Sequence, residues 1–218
     1  MDACDSDSRK AWVAEVSTGT YQSEQGRSWY VSPSLELRLA SSVSLSFGPQ
    51  VSWETTPVQY VTQYDDSTAT ATFGRRYVFA SFKATEFSAA IRFNWTFNPK
   101  LSLQFYGQPL ISAGDYAAYK ALARPRSFEF NHWNDGTSSF DSTTFTPPNP
   151  DFNFKSLRGN AVLRWEYLPG STMYLVWTQS REDVQNTGQF SFGPSMSRLG
   201  SAAPTNIFMI KVTYWWNP

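Results

Sequence analysis

Two runs of strict alternation, joined by three residues, constrain this chain more than any other feature. The stretch Ser28–Glu54 reads SWYVSPSLELRLASSVSLSFGPQVSWE. In the first run Trp29, Val31, Pro33, Leu35, Leu37 and Leu39 alternate with Ser28, Tyr30, Ser32, Ser34, Glu36 and Arg38. After Ala40–Ser42, the residues Val43, Leu45, Phe47, Pro49, Val51 and Trp53 alternate with Ser44, Ser46, Gly48, Gln50, Ser52 and Glu54. A period of two places one set on each side of a β-strand. Strands of globular sheets usually run about 5–6 residues, whereas a tilted strand crossing a bilayer needs about 9–11. Both runs reach that length, so the stretch predicts a transmembrane β-hairpin with lipid on its apolar side. A three-residue turn sets Trp29 opposite Trp53, Val31 opposite Val51 and Leu35 opposite Phe47. Pro33 and Pro49 then fall opposite each other, where their missing N–H groups do not interrupt the ladder.

The pattern recurs. Ala11–Gln22, Thr85–Phe97, Leu101–Ala113, Ser156–Tyr167 and Thr205–Trp216 read as further strands, and Thr172–Arg181 as a strand of uncertain facing. That makes eight spanning candidates. Ala40–Ser42, Asn98–Lys100 and Leu168–Ser171 are short connections, while 54–84, 114–155 and 182–204 are long and polar. Ser23–Arg27 is brief although it falls on the long side. Bacterial outer-membrane barrels have short periplasmic turns and longer extracellular loops. Within the long loops, Gln59–Tyr64 and Arg76–Lys83 read as a second-tier hairpin above the membrane, and Asp115–Ala123 as a short helix. Residues 1–10 are expected to be a disordered segment ahead of an 11–218 barrel, or the C-terminal portion of one.

The bulk numbers agree with this fold class, an all-β antiparallel transmembrane barrel. The 218-residue chain is 17% aromatic with nine Trp, and only 17% charged against the usual level of about 25%. Its mean hydropathy is −0.41, and no apolar run approaches the roughly 18 residues of a spanning helix. The net charge is zero, which gives nucleic acid no basic surface to bind. Cys4 is the only cysteine, so an internal disulfide and a cysteine metal site are excluded. The polar start MDACDSDSRK carries no export signal.

Two residue sets follow from the alternation. Glu36, Arg38, Glu86, Arg92, Asn94, Arg158, Asn160, Arg164, Glu166 and Lys211 are expected to face the lumen, since a charge in lipid costs about 2–4 kcal/mol at the midplane. They line a pore or form a salt-bridge network that plugs it. Trp29 and Trp53 at one end, with Trp95, Phe97, Trp165, Tyr167, Tyr214 and Trp216 at the other, are expected to form two interfacial girdles. The small lumen residues Ser32, Ser34, Ser44, Ser46, Ser52 and Ser88 would fill an eight-stranded interior poorly, which favours a wider barrel.

The stretches PVQYVTQY (57–64), RYVFASF (76–82), PDFNFKSLRGNAVLRWEYLPGST (150–172), VWTQSRED (176–183) and FMIKVTYWWNP (208–218) resemble the C-terminal region of a bacterial family of unknown function. The resemblance runs from about Trp29 onward. It implies an outer-membrane barrel, with outer-membrane lipid as its surroundings and a small solute or a glycan as candidate ligand. Family members commonly carry, ahead of the barrel, a domain similar to carbohydrate-binding module family 9. That domain is absent from this sequence, and the family has no catalytic residues to carry over.

No catalytic, metal or cofactor site is expected. His132, the single histidine, lies in the loop sequence FNHWND without a nucleophile motif or paired carboxylate. Asp65, Asp66, Asp135, Asp141 and Asp151 match no calcium-loop spacing. Asn134–Asp135–Gly136 reads as a turn, and Gly159 as close strand packing. The expected function is passive: a channel, a transporter-like barrel or a surface anchor. The alternatives are a soluble β-sandwich stacking sugars on Phe128, Phe130, Trp133 and Phe140, and an outer-membrane hydrolase using His132.

Overall fold

A computed structural model describes residues 2–5 and 11–216. The expectation of disorder at residues 1 and 6–10 lies outside the described residues. Asp2–Asp5 is instead a short strand, β1, whose backbone pairs with the second strand. The other strands are β2 (Trp12–Ser23), β3 (Gly26–Ala40), β4 (Val43–Asp65), β5 (Arg75–Asn98), β6 (Leu101–Leu122), β7 (Phe130–His132), β8 (Phe152–Leu168), β9 (Ser171–Gln185) and β10 (Thr205–Thr213). All belong to one antiparallel sheet in the order β1-β2-β3-β4-β5-β6-β8-β9-β10, with β7 added to β6. The sheet is open: β10 pairs only with β9. Closure into a barrel is therefore not present among the described residues. A sandwich is not present either, because these strands form a single sheet.

The eight expected crossings are β2 to β6 and β8 to β10. The opening hairpin has the expected register, with Trp29 opposite Trp53 and Leu35 opposite Phe47. The two indoles stack with centroids 3.9 Å apart and planes 14° from parallel. The turn itself is tighter than expected, because Ala40 pairs with Val43 after a register shift at Arg38.

The long connections are shorter than the sequence reading, because strands continue into them. β4 runs to Asp65 and β5 starts at Arg75. The helix expected over Asp115–Ala123 is instead the upper part of β6. Its Ala-rich composition favours helix, but Tyr116 pairs with Phe82 and Lys120 with Phe79 across a bulge, and tertiary pairing overrides propensity. The bulge is accommodated by Ala118 in the left-handed region, at φ 51°. The 182–204 connection begins as the end of β9 and then forms a helix, α1 (Phe192–Ser201). No helix among the described residues is long and apolar enough to cross a membrane.

Above the Trp29–Trp53 pair, β4, β5 and β6 project into a second tier with a core of its own. Val78, Ala121 and Phe140 are fully buried, with Tyr64, Tyr119, Trp133 and Phe145 packed around them. Arg76 is 5% exposed and binds Asp66, Thr68 and Ser139, with its guanidinium 5.8 Å from the centre of the Phe140 ring. These contacts tie the β4–β5 tip to the loop after β7.

The tier is expected to lose stability in acid. Hydrogen bonds from Arg76 and Thr68 hold the Asp66 carboxyl down at about 2. A carboxyl whose folded pKa is depressed stabilises the fold above its unfolded value and loses that contribution as pH falls. Pepsin is expected to begin cutting within 66–74 and 133–151 as pH falls from about 4 towards 2. Asp66→Asn leaves Arg76 buried without its counter-ion. It should weaken the tier by about 3 kcal/mol at pH 7, read as faster neutral proteolysis of the same segments.

Candidate functional site

Directly paired residues in a sheet share a face, so the register sorts the side chains. One row runs Val13–Glu36–Ser46–Arg92–Tyr106–Asn160–Thr178–Ile207. The next runs Arg38–Ser44–Asn94–Gln104–Val162–Val176–Met209, and a third runs Thr96–Ser102–Arg164–Tyr174–Lys211. Glu86 stands between Ser52 and Ser112, Arg158 between Gln108 and Ser180, and Glu166 opposite Thr172. All ten residues expected on the polar side thus lie on one face.

Several of them touch. Arg38 donates to Glu36 at 3.0 Å, Arg164 meets Glu166 at 3.5 Å, and Asn94 donates to Ser44 at 3.3 Å. The Arg92 guanidinium lies 5.1 Å from the centre of the Tyr106 ring, whose hydroxyl donates to Gln108 at 3.1 Å. Arg158 pairs with Glu182 at 3.6 Å. The sequence reading missed Glu182 because it ended the strand at Arg181, although the alternation continues. At the short-turn end a cavity of about 540 Å³ opens on this face, lined by Glu36, Arg38, Ser44, Asn94 and Thr96 with the β3–β4 turn. The lining is mixed in sign, and its pairs are mostly half-exposed, so each contributes little stability.

The opposite face is apolar, and its aromatic border steps. The row through Trp95 continues as Leu103, Leu163, Leu175 and Ile210. On β5 the aromatic pair Trp95 and Phe97 begins in that row. On β8 the pair Trp165 and Tyr167 begins two residues beyond it, and after β10 the pair Tyr214 and Trp216 begins four beyond. Each of these intervals covers two strand steps, so the border moves one residue per strand. A rise of about 3.4 Å per residue against a strand spacing of about 4.8 Å corresponds to a tilt of roughly 35°, within the range of closed barrels.

The upper border is marked by Trp29 and Trp53, which stand directly opposite each other in one row. The Trp29–Trp53 row continues as Thr85, Ala113, Asn153 and Gln185. If the lower border's step of one residue per strand is carried over to it, the upper border on β9, four strands on from β4, falls at Arg181. Between the Trp53 and Trp95 rows, the apolar face of β2 to β6 carries no charged side chain. Charges on this face gather at or above the border: the row Arg27–Thr55–Lys83–Asp115, and Lys155, Arg181 and Asp183.

The last three were not foreseen. Lys155 is 0% exposed, and its ammonium donates to Asp183 and Gln185 at 3.0 Å and to the Asn153 carbonyl at 3.1 Å. Arg198 of α1 grips Asp183 with two 3.0 Å bonds, and Arg181 donates to the Gly200 carbonyl. Phe192 packs edge-on against Phe87 at 4.9 Å, while Ser195 and Leu199 are buried. The helix therefore covers the charges that interrupt the apolar face.

The remaining candidates scatter. Phe140 and Trp133 belong to the upper-tier core, which overturns them as sugar-stacking residues, and Phe130 packs against Phe79 with the Lys120 ammonium over its ring. His132 is exposed on β7 opposite Lys120. Asp65 pairs with Arg75, Asp135 and Asp141 cap their own turns, and Asp151 accepts the Tyr116 N–H. Among the described residues no group of three His, Cys, Asp or Glu could hold a metal.

One family profile, described as a domain of unknown function, DUF5916, matches residues 2–217. The chain belongs to this family. No curated protein and no solved structure matches the sequence. For this DUF5916 chain the two-faced sheet is thus the main functional evidence.

The helix α1 supplies a test of the packing. Leu199→Asp places a charge in its buried seat. The expected outcome is cleavage within 186–204 by trypsin, at the Arg198 bond, at least tenfold faster than wild type, with far-ultraviolet circular dichroism of the sheet unchanged.

Proposed function

We propose that this chain forms the wall of a bacterial outer-membrane β-barrel whose polar face lines a passive path for ions or small solutes. The observation that carries the reading is an apolar face that is charge-free across β2 to β6 between its tryptophan rows, with a lower aromatic border that steps one residue per strand. Ten residues separate Thr85 in the upper row from Trp95 in the lower row. At about 3.4 Å per residue and a tilt of roughly 35°, the band is about 28 Å tall, close to the hydrocarbon thickness. Trp29, Trp95 and Trp165 are all well exposed on it, at 48%, 40% and 46%, as expected of side chains at a lipid interface.

The open path is favoured over a plugged anchor by the lining. In the Glu36 and Arg38 rows, Ser46 and Ser44 alternate with the long polar groups. Small hydroxyl side chains leave room that a packed eight-stranded interior would not. Lining charges in such a path set selectivity through their local field.

Two measurements test the proposal. Phe47→Arg, near the middle of the band on the apolar face, is expected to lower stability in lipid by about 2–4 kcal/mol, and Ser46→Arg at matching depth on the polar face by under about 1 kcal/mol. Equal costs would remove the lipid-facing assignment. In planar bilayers, discrete conductance steps are expected, and combining Arg38→Glu, Arg92→Glu and Arg164→Glu should shift the reversal potential towards cation preference. A stepless wild-type trace with the lipid asymmetry intact would leave an anchoring barrel instead of a pore.

A further inference from the structure

We infer that the tip of the second tier is a binding site for a neutral saccharide unit, formed by a cavity between the β4–β5 tip, the end of β6 and the loop after β7. The cavity is about 270 Å³. Thr68, Thr70, Ser138 and Ser139 bring hydroxyls to its wall, Asn131 an amide and Arg76 a guanidinium, with the methyl groups of Ala71 and Ala123 between them. Polar groups converging on a partly apolar hollow are what a small polar ligand needs to be oriented and held. The Thr68 and Ser139 hydroxyls are taken up by Asp66, Arg76 and each other, which leaves the Thr70 and Ser138 hydroxyls and the Asn131 amide to face a ligand. A hydroxyl both donates and accepts, which matches a polyol better than a ligand that only accepts or only donates.

The charge of the hollow favours a neutral ligand. Arg76 is the one cation in the wall, and Asp66 binds it directly. Hydrogen bonds from Arg76 and Thr68 hold the Asp66 carboxyl down at about 2, so the pair is formally neutral near pH 7. Thr68 and Ser139 meet each other at 3.2 Å, and Arg76 donates to both. The wall is therefore held rigid before a ligand arrives, which lowers the entropy cost of binding.

Two exposed aromatic residues, of the kind that stack on an apolar sugar face, follow lining residues closely in sequence. Phe73 directly follows the lining residue Thr72 and is 91% exposed, and Phe128, in the hairpin between β6 and β7, is 70% exposed. Each tip loop holds a non-glycine residue in the left-handed region, Phe73 itself at φ 58° and Arg126 at φ 56°. A bulky side chain at positive φ is an outlier that the surroundings must enforce. Here the backbone bonds Phe73 N–H to Thr70 and Gly74 N–H to Ala69 enforce it, and the ring is directed away from the core. The inference is independent of the barrel reading, since the tier has its own core.

Saturation-transfer NMR on the full chain, in a detergent without a sugar headgroup, tests it with methyl β-glucoside, N-acetylglucosamine and glucuronate at millimolar concentration. Transfer to one or both neutral sugars is expected, falling at least threefold in Phe73→Ala and disappearing in Ala123→Trp, which fills the hollow. Phe73 is on the surface, so its variant keeps the test decisive if Ala123→Trp fails to fold. No transfer to either neutral sugar, transfer to glucuronate alone, or signals unchanged in Phe73→Ala would each overturn the assignment. Bilayer conductance is read separately, so a failed sugar test leaves the pore proposal standing and the reverse holds too.

Discussion

Everything in this sheet depends on the coupling between side-chain alternation and hydrogen-bond register. Because successive residues point to opposite faces, a slip of one residue between two strands would exchange the faces of everything beyond it. Glu36 and Arg38 would then stand among Leu45 and Phe47. The stacked indoles of Trp29 and Trp53 sit in one row of that ladder and match only in the observed register. A slip of one residue satisfies neither face, and a slip of two, which would keep the faces, is opposed by the loss of the Trp29–Trp53 stack and of the tight Ala40–Val43 turn. That is why eight long strands can stay aligned with little buried core beneath them.

The same coupling explains what was legible in the sequence. Period two, read over runs of ten or more residues, reports facing directly, so the ten polar residues from Glu36 to Lys211 could be assigned without coordinates. The stepping border was also present in the positions of Trp95, Trp165 and Tyr214, but only the register reveals that they advance by one residue per strand. Where β4, β5 and β6 pass above the upper tryptophans, alternation gives way to bulges at Thr56, Tyr60 and Phe79. A bulge resets the face, so periodicity stops carrying information there. The Ala-rich stretch after Asp115 then looks helical, although β5 already offers it a partner.

The charges at Lys155, Arg181 and Asp183 escaped the sequence for a different reason. Their strands put them on the apolar side, where isolated charges would be costly. What makes them tolerable is tertiary: they satisfy one another, and α1 returns to lay Arg198 and the carbonyls of its last turn over them. Neither half of this arrangement has a local signature. The helix, with glycine and proline in its first turn and no side-chain cap at Ser191, is a weak helix by propensity. It is held by the charges it covers and by Phe87 and Leu199, not by its own backbone preference.

The unpaired edge of β10 follows from the same physics and bears on how the sheet is completed. All nine residues of β10 are exposed, with Phe208, Ile210 and Val212 on the apolar face and Ile207 and Met209 on the polar one. A free edge presents a row of unpaired backbone N–H and C=O groups, which cannot be left in a bilayer where no water satisfies them. If the apolar face meets lipid, as proposed, another strand must therefore pair with β10. The partner must run antiparallel to it for the meander to continue, and must keep the one-residue step for the aromatic border to stay level. β2 runs in the required direction, but β1 occupies its outer edge over Glu15–Thr18, so pairing of β10 with β2 requires β1 to give way. Eight strands at one residue per strand close only a narrow barrel, while the serines of the polar face favour more strands and a wider one. The strand count thus controls the radius of the path, and through it whether the charges from Glu36 to Lys211 act on a passing ion or on each other.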